Sequence, residues 1–142
     1  PDAETLVRQS DLVVTTTPSP TPIVRAEWLH AGLHITALGA DNGHKQELYP
    51  EVLVRADRRV CDLKSQAFRL GDHSFALKAG LLTEDAPVDE LGELTAGVKP
   101  GRTSPDEITV CDLTGVGVQD TAIALLAYRK ALEAGLGLTI ES

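Results

Sequence analysis

Short runs of β-branched and other apolar residues alternate with helical segments along this chain, and that alternation most constrains its fold. Four runs are predicted as strands, at residues 11–17, 33–38, 59–63 and 108–111. The first run is continuously β-branched or apolar, which is typical of a strand buried on both faces. Strands separated by helical connections form parallel sheets. The sequence therefore predicts an α/β fold with a parallel sheet.

Apolar spacing, prolines and glycines predict the helices. The predicted helical segments lie within residues 1–10, 25–29, 50–56, 65–70, 74–79, 88–96 and 118–133. In the last segment apolar residues recur about every 3.6 positions, so we expect Leu125 and Leu126 to be buried. Truncating either leucine to alanine should then cost roughly 2–5 kcal/mol. After Gly135, residues 136–140 are predicted as either a final strand or an extended tail.

Length and charge exclude several classes of protein. The chain has 142 residues, which suits one domain, with 13 basic and 21 acidic side chains and a net charge of −8. This balance disfavours nucleic-acid partners and anionic membranes. No apolar run approaches the roughly 20 residues of a membrane span, and no secretory leader opens the chain, so the cytoplasm is expected. A start at Pro1 and the absence of methionine favour a piece of a longer polypeptide.

Cysteine and histidine positions do not indicate a metal site. Two cysteines, Cys61 and Cys111, are too few for a disulfide scaffold or a ligand set. Both fall in predicted buried strands, so we expect inert thiols. His30 and His34 are separated by Gly32, which breaks any helix that would align them. No metal is therefore predicted.

Two glycine-containing segments are candidates for ligand-binding loops. Residues 115–120 follow a strand and open a helix, as a dinucleotide fingerprint would. Asp120 stands where that fingerprint needs glycine or alanine, and its carboxylate would repel a pyrophosphate, so we interpret the segment as a plain strand-to-helix turn. Residues 38–47 lie beyond the carboxyl end of the second strand, where open α/β sheets bind ligands.

The 38–47 loop contains an acid and a cation, Asp41 and Lys45. Together they suffice for proton transfer beside a charged substrate, although the same residues suit a solvated turn. Three hydroxyls end the first strand at the same expected edge, those of Thr15, Thr16 and Thr17. They could bond a cofactor or satisfy the strand end, and spacing alone leaves both interpretations open.

Taken together, residues 11–19, 32–47, 100–110 and 112–120 resemble the ornithine cyclodeaminase/mu-crystallin family in order and interval. The closest similarity, through residues 111–124, is to the cyclodeaminase-like member of ectoine-utilisation clusters. The resemblance implies a homodimeric, NAD-dependent enzyme that acts on a small amino acid.

It also implies a division of the chain. Residues 1–112 would form the C-terminal half of a Rossmann NAD-binding domain. Residues 113–142 would be a helix and tail that return to the dimerisation and substrate domain. The family's glycine fingerprint and its substrate-binding arginine and lysine would then lie upstream, so the isolated chain is expected to be incomplete and inactive.

The resemblance assigns roles to individual residues. Asp41 matches the family's catalytic aspartate. Positions that match cofactor-lining residues are Thr15, Thr16, Thr17, Leu38, Gly39 and Lys45. At Leu113 many cyclodeaminases carry a serine beside the cofactor, and Thr114 is the candidate to replace its hydrogen bond. The departure at Leu113 weakens the case for ornithine as the substrate.

The implied reaction is NAD-dependent cyclodeamination: an amino acid is oxidised to an imine, ammonia is lost and hydride is returned, in ectoine or other amino-acid catabolism. Two alternatives stay open. One is an alanine-type dehydrogenase or ketimine reductase of the same family, in which hydride is not returned. The other is a non-catalytic, mu-crystallin-like protein that binds NAD(P) and a small ligand.

Overall fold

The computed structural model describes residues 2–138 and 140, and these form one parallel sheet of five strands. In chain order the strands are β1 (Leu12–Thr15), β2 (His34–Ala37), β3 (Arg58–Cys61), β4 (Asp89–Glu90) and β5 (Thr109–Asp112). Their order across the sheet is β1-β2-β5-β3-β4, with every neighbouring pair parallel. The predicted parallel α/β fold is confirmed, and the four predicted strands are β1, β2, β3 and β5.

Helices precede, connect and follow these strands. They are α1 (Ala3–Gln9), α2 (Pro50–Arg55), α3 (Lys64–Leu70), α4 (Asp72–Lys78), α5 (Leu91–Thr95) and α6 (Gly117–Glu133). A short 3-10 turn, Ala26–Trp28, lies between β1 and β2. Pro50 occupies the first turn of α2, where its missing N–H leaves no helical hydrogen bond unmade. The sequence thus located all six helices, though not all of their ends.

The prediction of a helix over residues 88–96 is wrong in its first part. Asp89 and Glu90 form strand β4, which pairs with β3 at the end of the sheet order. The Glu90 N–H donates to the Glu93 carboxylate at 3.0 Å, and the Glu90 carboxylate accepts from the Glu93 N–H. This reciprocal capping box starts α5 only at Leu91. A two-residue strand is too short to produce a period in the sequence.

One face of the sheet carries the main core. Val13, Ile35 and Val110 lie side by side on it and are at most 3% exposed. Helices α2 and α4 pack on the same core through Val52, Leu53 and Ala76. Burial of these apolar side chains is the main stabilising contribution to the fold.

The prediction that the first strand is buried on both faces is wrong. Leu12 and Val14 of β1 are 60% and 55% exposed, whereas Val13 and Thr15 are buried on the opposite face. Strand β1 lies at the end of the sheet order, and the described residues leave its second face uncovered. A continuous apolar run is compatible with burial of both strand faces, but each face is buried only where another helix or strand packs on it.

The long C-terminal helix forms as predicted, but its predicted burial is wrong. Leu125 and Leu126 are 50% and 48% exposed, and no residue of α6 is buried. Apolar periodicity marks a face that can be buried, yet burial requires a partner, which the described residues do not supply. Residues 136–138 and Ile140 are not in a strand, and Thr139, also part of that predicted segment, lies outside the described residues.

Among the described helices, none combines the length and the apolar character needed to cross a bilayer.

Candidate active site

The carboxyl ends of the strands meet in register at one edge of the sheet. Thr15, Ala37, Asp112 and Cys61 lie opposite one another in four successive strands. The residues that follow them therefore emerge at the same edge, which is where open α/β sheets bind ligands. This edge includes all of the predicted site residues or the loops that carry them.

A buried carboxylate, that of Glu47, ties the ends of β1 and β2 together. Its side chain is 0% exposed. Oε2 accepts hydrogen bonds from the Thr15 hydroxyl and the Gly39 N–H, both at 2.7 Å, and Oε1 accepts from the Thr17 N–H. Three donors on two oxygens satisfy a buried charge that would otherwise be costly.

The three predicted threonines differ in hydrogen bonding and in exposure. The Thr15 hydroxyl is occupied by Glu47, as the strand-end interpretation expects, and the Thr17 hydroxyl accepts from the Ser19 N–H at 3.4 Å. Thr16 is exposed at the sheet edge. Of the three threonines, Thr16 is the most exposed to solvent.

Gly39 is required by a close approach within the protein. A Cβ at this position would lie 2.1 Å from the Thr17 carbonyl oxygen and 2.5 Å from the Glu47 carboxyl carbon. The neighbouring Leu38 side chain is 42% exposed at the same edge. The glycine thus lets the end of β2 pass close to Thr17, while Leu38 presents an apolar surface to solvent.

Asp41 lies in the loop that begins at Gly39, and its carboxylate is accessible. Its side chain is 49% exposed, and Oδ1 accepts from Lys45 Nζ and Asn42 Nδ2, both at 2.9 Å. The structure therefore brings the predicted acid and cation together. A half-exposed carboxylate beside an ammonium group can accept a proton from a bound substrate and return it later.

Thr114 is held by two residues that the sequence analysis did not single out. Its hydroxyl donates to Asp62 Oδ1 and accepts from Gln66 Nε2, both at 3.0 Å, and Thr114 is 8% exposed. Asp62 Oδ2 also accepts from the N–H of Gly115, whose φ of +82° favours glycine. The Thr114 hydroxyl is thus engaged within the protein, which leaves less capacity for the hydrogen bond that Leu113 cannot make.

A second set of buried polar residues lies behind this edge, and the sequence analysis missed its role. Asp72, His73 and Asp112 are each 0% exposed. Asp112 Oδ2 accepts from the His73 backbone N–H at 3.0 Å and pairs with His73 Nδ1 at 2.7 Å. Burial first, and then the nearby Asp112, raise the pKa of Asp72 from 3.8 to about 8. An isolated Gly-Asp-His sequence at a helix start resembles an ordinary N-terminus and gave no signal of burial.

The two cysteines are buried, as predicted. Burial raises the pKa of Cys61 to about 12 and that of Cys111 to about 11, and nearby carboxylates act in the same direction. Both thiols are therefore neutral near pH 7 and poor nucleophiles.

A family model described as the ornithine cyclodeaminase/mu-crystallin family matches residues 1–135. This chain belongs to that family. The resemblance inferred from the motifs is thereby confirmed.

Individual members of the family have different activities. The chain is 51% identical over 141 residues, 99% of its length, to a protein named uncharacterized cyclodeaminase from Sinorhizobium fredii. An archaeal alanine dehydrogenase dimer with bound NAD superposes with a TM-score of 0.90 and 42% identity over 99% of this chain. The iminosuccinate reductase of Paracoccus denitrificans, in complex with NAD+, superposes with a TM-score of 0.91 and 37% identity over all of it. In each case the chain spans 43% of the relative's length.

Proposed function

We propose that this chain forms one side of the active site of an NAD-dependent enzyme that oxidises a small amino acid to an imine. The observation that carries the proposal is the position of Asp41: a half-exposed carboxylate, 2.9 Å from the Lys45 ammonium, at the carboxyl edge of a parallel sheet. Family membership, together with three solved relatives that hold NAD or NADH, supports it.

The residues at this edge fit the nicotinamide end of the cofactor. Leu38 would offer an exposed apolar side chain to the ring, while Thr16 would offer a hydroxyl and Lys45 an ammonium group to polar parts of the cofactor. When bound, NAD would supply the hydride acceptor for the substrate α-carbon. Thr15, Thr17 and Gly39 would act indirectly, because their bonds to Glu47 hold the backbone on which Thr16 and Leu38 lie.

In this proposal Asp41 moves the protons. Its carboxylate takes a proton from the substrate amine as the amine becomes an imine, and Lys45 keeps a positive charge beside the carboxylate. In cyclodeamination the distal amine of the substrate then attacks the imine carbon and ammonia leaves with a proton from Asp41. Loss of ammonia leaves the ring nitrogen protonated, and bound NADH would return hydride to this protonated cyclic imine, so no net oxidation would result.

Cyclodeamination is the favoured reaction because a relative named as a cyclodeaminase is 51% identical to this chain. A role in ectoine or other amino-acid catabolism stays a prediction, and so does location of the protein in the cytoplasm. The second candidate is an alanine-type dehydrogenase or imine reductase, which the archaeal alanine dehydrogenase and the iminosuccinate reductase support. Leu113 weakens the case for ornithine as the substrate, since its side chain cannot form the hydrogen bond of a serine.

We further propose that residues 113–142 reach a second domain and that the native protein is a homodimer, like the archaeal alanine dehydrogenase. The support is the exposed apolar surface of α6, where Val118, Ile123 and Leu132 are each at least 60% exposed. Residues 1–112 would then be the NAD-binding half.

The test compares Asp41→Asn with Asp11→Asn, the same change just before the amino end of β1. With NAD and a diamino acid, we expect Asp41→Asn to lower turnover at least about 100-fold in the native protein while NAD still binds. Asp11→Asn should leave both unchanged. Full turnover by Asp41→Asn would refute the proposal.

The product distinguishes the candidate functions. A cyclodeaminase releases ammonia and a cyclic amino acid without accumulating NADH, whereas a dehydrogenase accumulates NADH. Ligand affinity without consumption of any amino acid, unchanged in Asp41→Asn, would instead identify a mu-crystallin-like binding protein.

A further inference from the structure

The Asp41 loop is fixed at its far end by a chain of buried hydrogen bonds. Asp72 Oδ1 accepts from the backbone N–H groups of Glu47 and Leu48, both at 3.0 Å. The Glu47 carboxylate in turn accepts from the Thr17 and Gly39 N–H groups. Asp72 is thus connected, through Glu47, to the backbone just beyond the ends of β1 and β2.

The second carboxyl oxygen of Asp72, Oδ2, accepts no hydrogen bond from the described residues. Asp72 Oδ2 and Asp112 Oδ1 are both buried and have no hydrogen-bond partner among the described residues. The titratable groups around Asp72 are Asp112 and Glu47, both acidic, and His73, whose Nδ1 is already paired with Asp112 Oδ2. A proton on Asp72 Oδ2 would turn one of these two unpartnered acceptors into a donor and would relieve the repulsion between Asp72 and Asp112, and the pKa of about 8 agrees with one being held there.

We propose that Asp72 is a positioning residue for the Asp41 loop, acting as a neutral acid that fixes the backbone at Glu47, which as a carboxylate fixes Thr17 and Gly39. This inference rests on the proposed role of Asp41. It goes beyond that role by placing two further buried acids behind the site: Glu47, whose two oxygens both accept hydrogen bonds, and Asp72, of which only one oxygen does.

The two acids should respond oppositely to conversion into amides. An asparagine at position 72 keeps an oxygen for the two N–H groups, and its NH2 group can donate where a protonated acid would. A glutamine at position 47 has one oxygen, so its NH2 group must face an N–H donor, that of Thr17 or Gly39. Such a contact leaves a buried donor unsatisfied.

The experiment uses Asp72→Asn, Asp72→Ala and Glu47→Gln in the native protein, with two measurements. Amide hydrogen exchange over residues 15–19 and 38–48 reports on the loop without turnover, and kcat and KM report on catalysis. We expect Glu47→Gln to lower kcat at least about tenfold, to change the amino-acid KM less than about threefold, and to speed exchange at Thr17 and Gly39 at least about tenfold. Asp72→Ala should do the same, and Asp72→Asn should restore wild-type exchange and kcat.

Two results would overturn the proposal: an Asp72→Asn variant as impaired as Glu47→Gln, or a Glu47→Gln variant with wild-type exchange. If Asp72→Ala does not fold, the comparison of the two amide variants decides. As a third such result, Glu47→Gln and Asp72→Ala variants with a lower melting temperature but unchanged kcat and exchange would show that these two acids have a purely structural role.

Failure of the proposed function has a different signature. If Asp41→Asn kept full turnover while Glu47→Gln still sped exchange, the catalytic assignment would fall and the hydrogen-bonded positioning of the loop would stand. Loss of turnover in Asp41→Asn with no effect of Glu47→Gln would remove the positioning proposal alone.

Discussion

The carboxyl edge of the sheet and helix α6 differ in how their side chains are held. At the edge the most fixed residues are acidic: Glu47 and Asp112 are 0% exposed, and each accepts at least two hydrogen bonds. In α6 the apolar residues Leu125 and Leu126 are about half exposed. Residue type therefore did not decide burial in either region. The presence or absence of partners did.

The difference also separates two kinds of sequence signal. The edge carries the motifs by which the family was inferred, and their residues are fixed by bonds between distant parts of the chain. Helix α6 carries apolar periodicity, which defines a helix and a face but not what covers it. We therefore expect substitutions at the edge to have much larger effects in this chain than substitutions on α6.

The largest effect is expected from Gly39→Ala. A methyl group there would lie 2.1 Å from the Thr17 carbonyl oxygen, so backbone must move, and we expect a loss of about 3 kcal/mol or more in the free energy of unfolding. The matched control is Gly43→Ala in the same loop, where an added Cβ has no atom within 4 Å. Urea unfolding of both variants measures the difference. Equal stability of the two would show that the edge is not tightly constrained.

An intermediate effect is expected from pH at Asp72. Its pKa is raised from 3.8 to about 8, so above about pH 4 the folded chain keeps a proton that the unfolded chain has lost. The stabilising contribution of the neutral acid is therefore complete below about pH 4 and is lost as pH rises towards 8.

Because asparagine does not titrate, Asp72→Asn should gain unfolding free energy relative to wild type as pH rises. The expected slope is at most about 1.4 kcal/mol per pH unit, measured by urea unfolding between about pH 5 and 7. Parallel pH curves for the two proteins would contradict the neutral state of Asp72.

The smallest effect is expected on α6. Leu126→Ala should change the unfolding free energy of the 142-residue chain by less than about 0.5 kcal/mol, because this side chain is 48% exposed. Leu53→Ala is the control: Leu53 is 0% exposed, and its truncation should cost roughly 2–5 kcal/mol. A cost at Leu126 as large as at Leu53 would mean that α6 is covered in solution.

Much of the fold could be predicted from the sequence, because β-branched runs, prolines and glycines act locally. Pro50 indicated the start of α2, and Gly135 lies just beyond the end of α6 at Glu133. The proximity of Asp41 and Lys45 also followed from their spacing. Strand β4 could not be predicted, since its two residues become a strand only by pairing with β3.

The candidate site was only partly predictable. The sequence placed Thr15, Leu38 and Asp41 at one edge because parallel strands end on the same side. It gave no sign that Glu47 and Asp72 would be buried, since neither lies in a predicted strand or in a repeating apolar pattern. Whether Thr114 is available to a ligand depended on Asp62 and Gln66, which meet it only in the folded chain.

The sequence by itself determined the order and type of the elements other than β4, the parallel sheet and the family. Only the tertiary structure decided which acids are enclosed and which apolar residues stay in water. The physical reason is that backbone preference is set by near neighbours, whereas burial is set by groups far apart in the chain. Glu47 meets the Thr15 hydroxyl across 32 positions and Asp72 across 25, and no local pattern records such contacts.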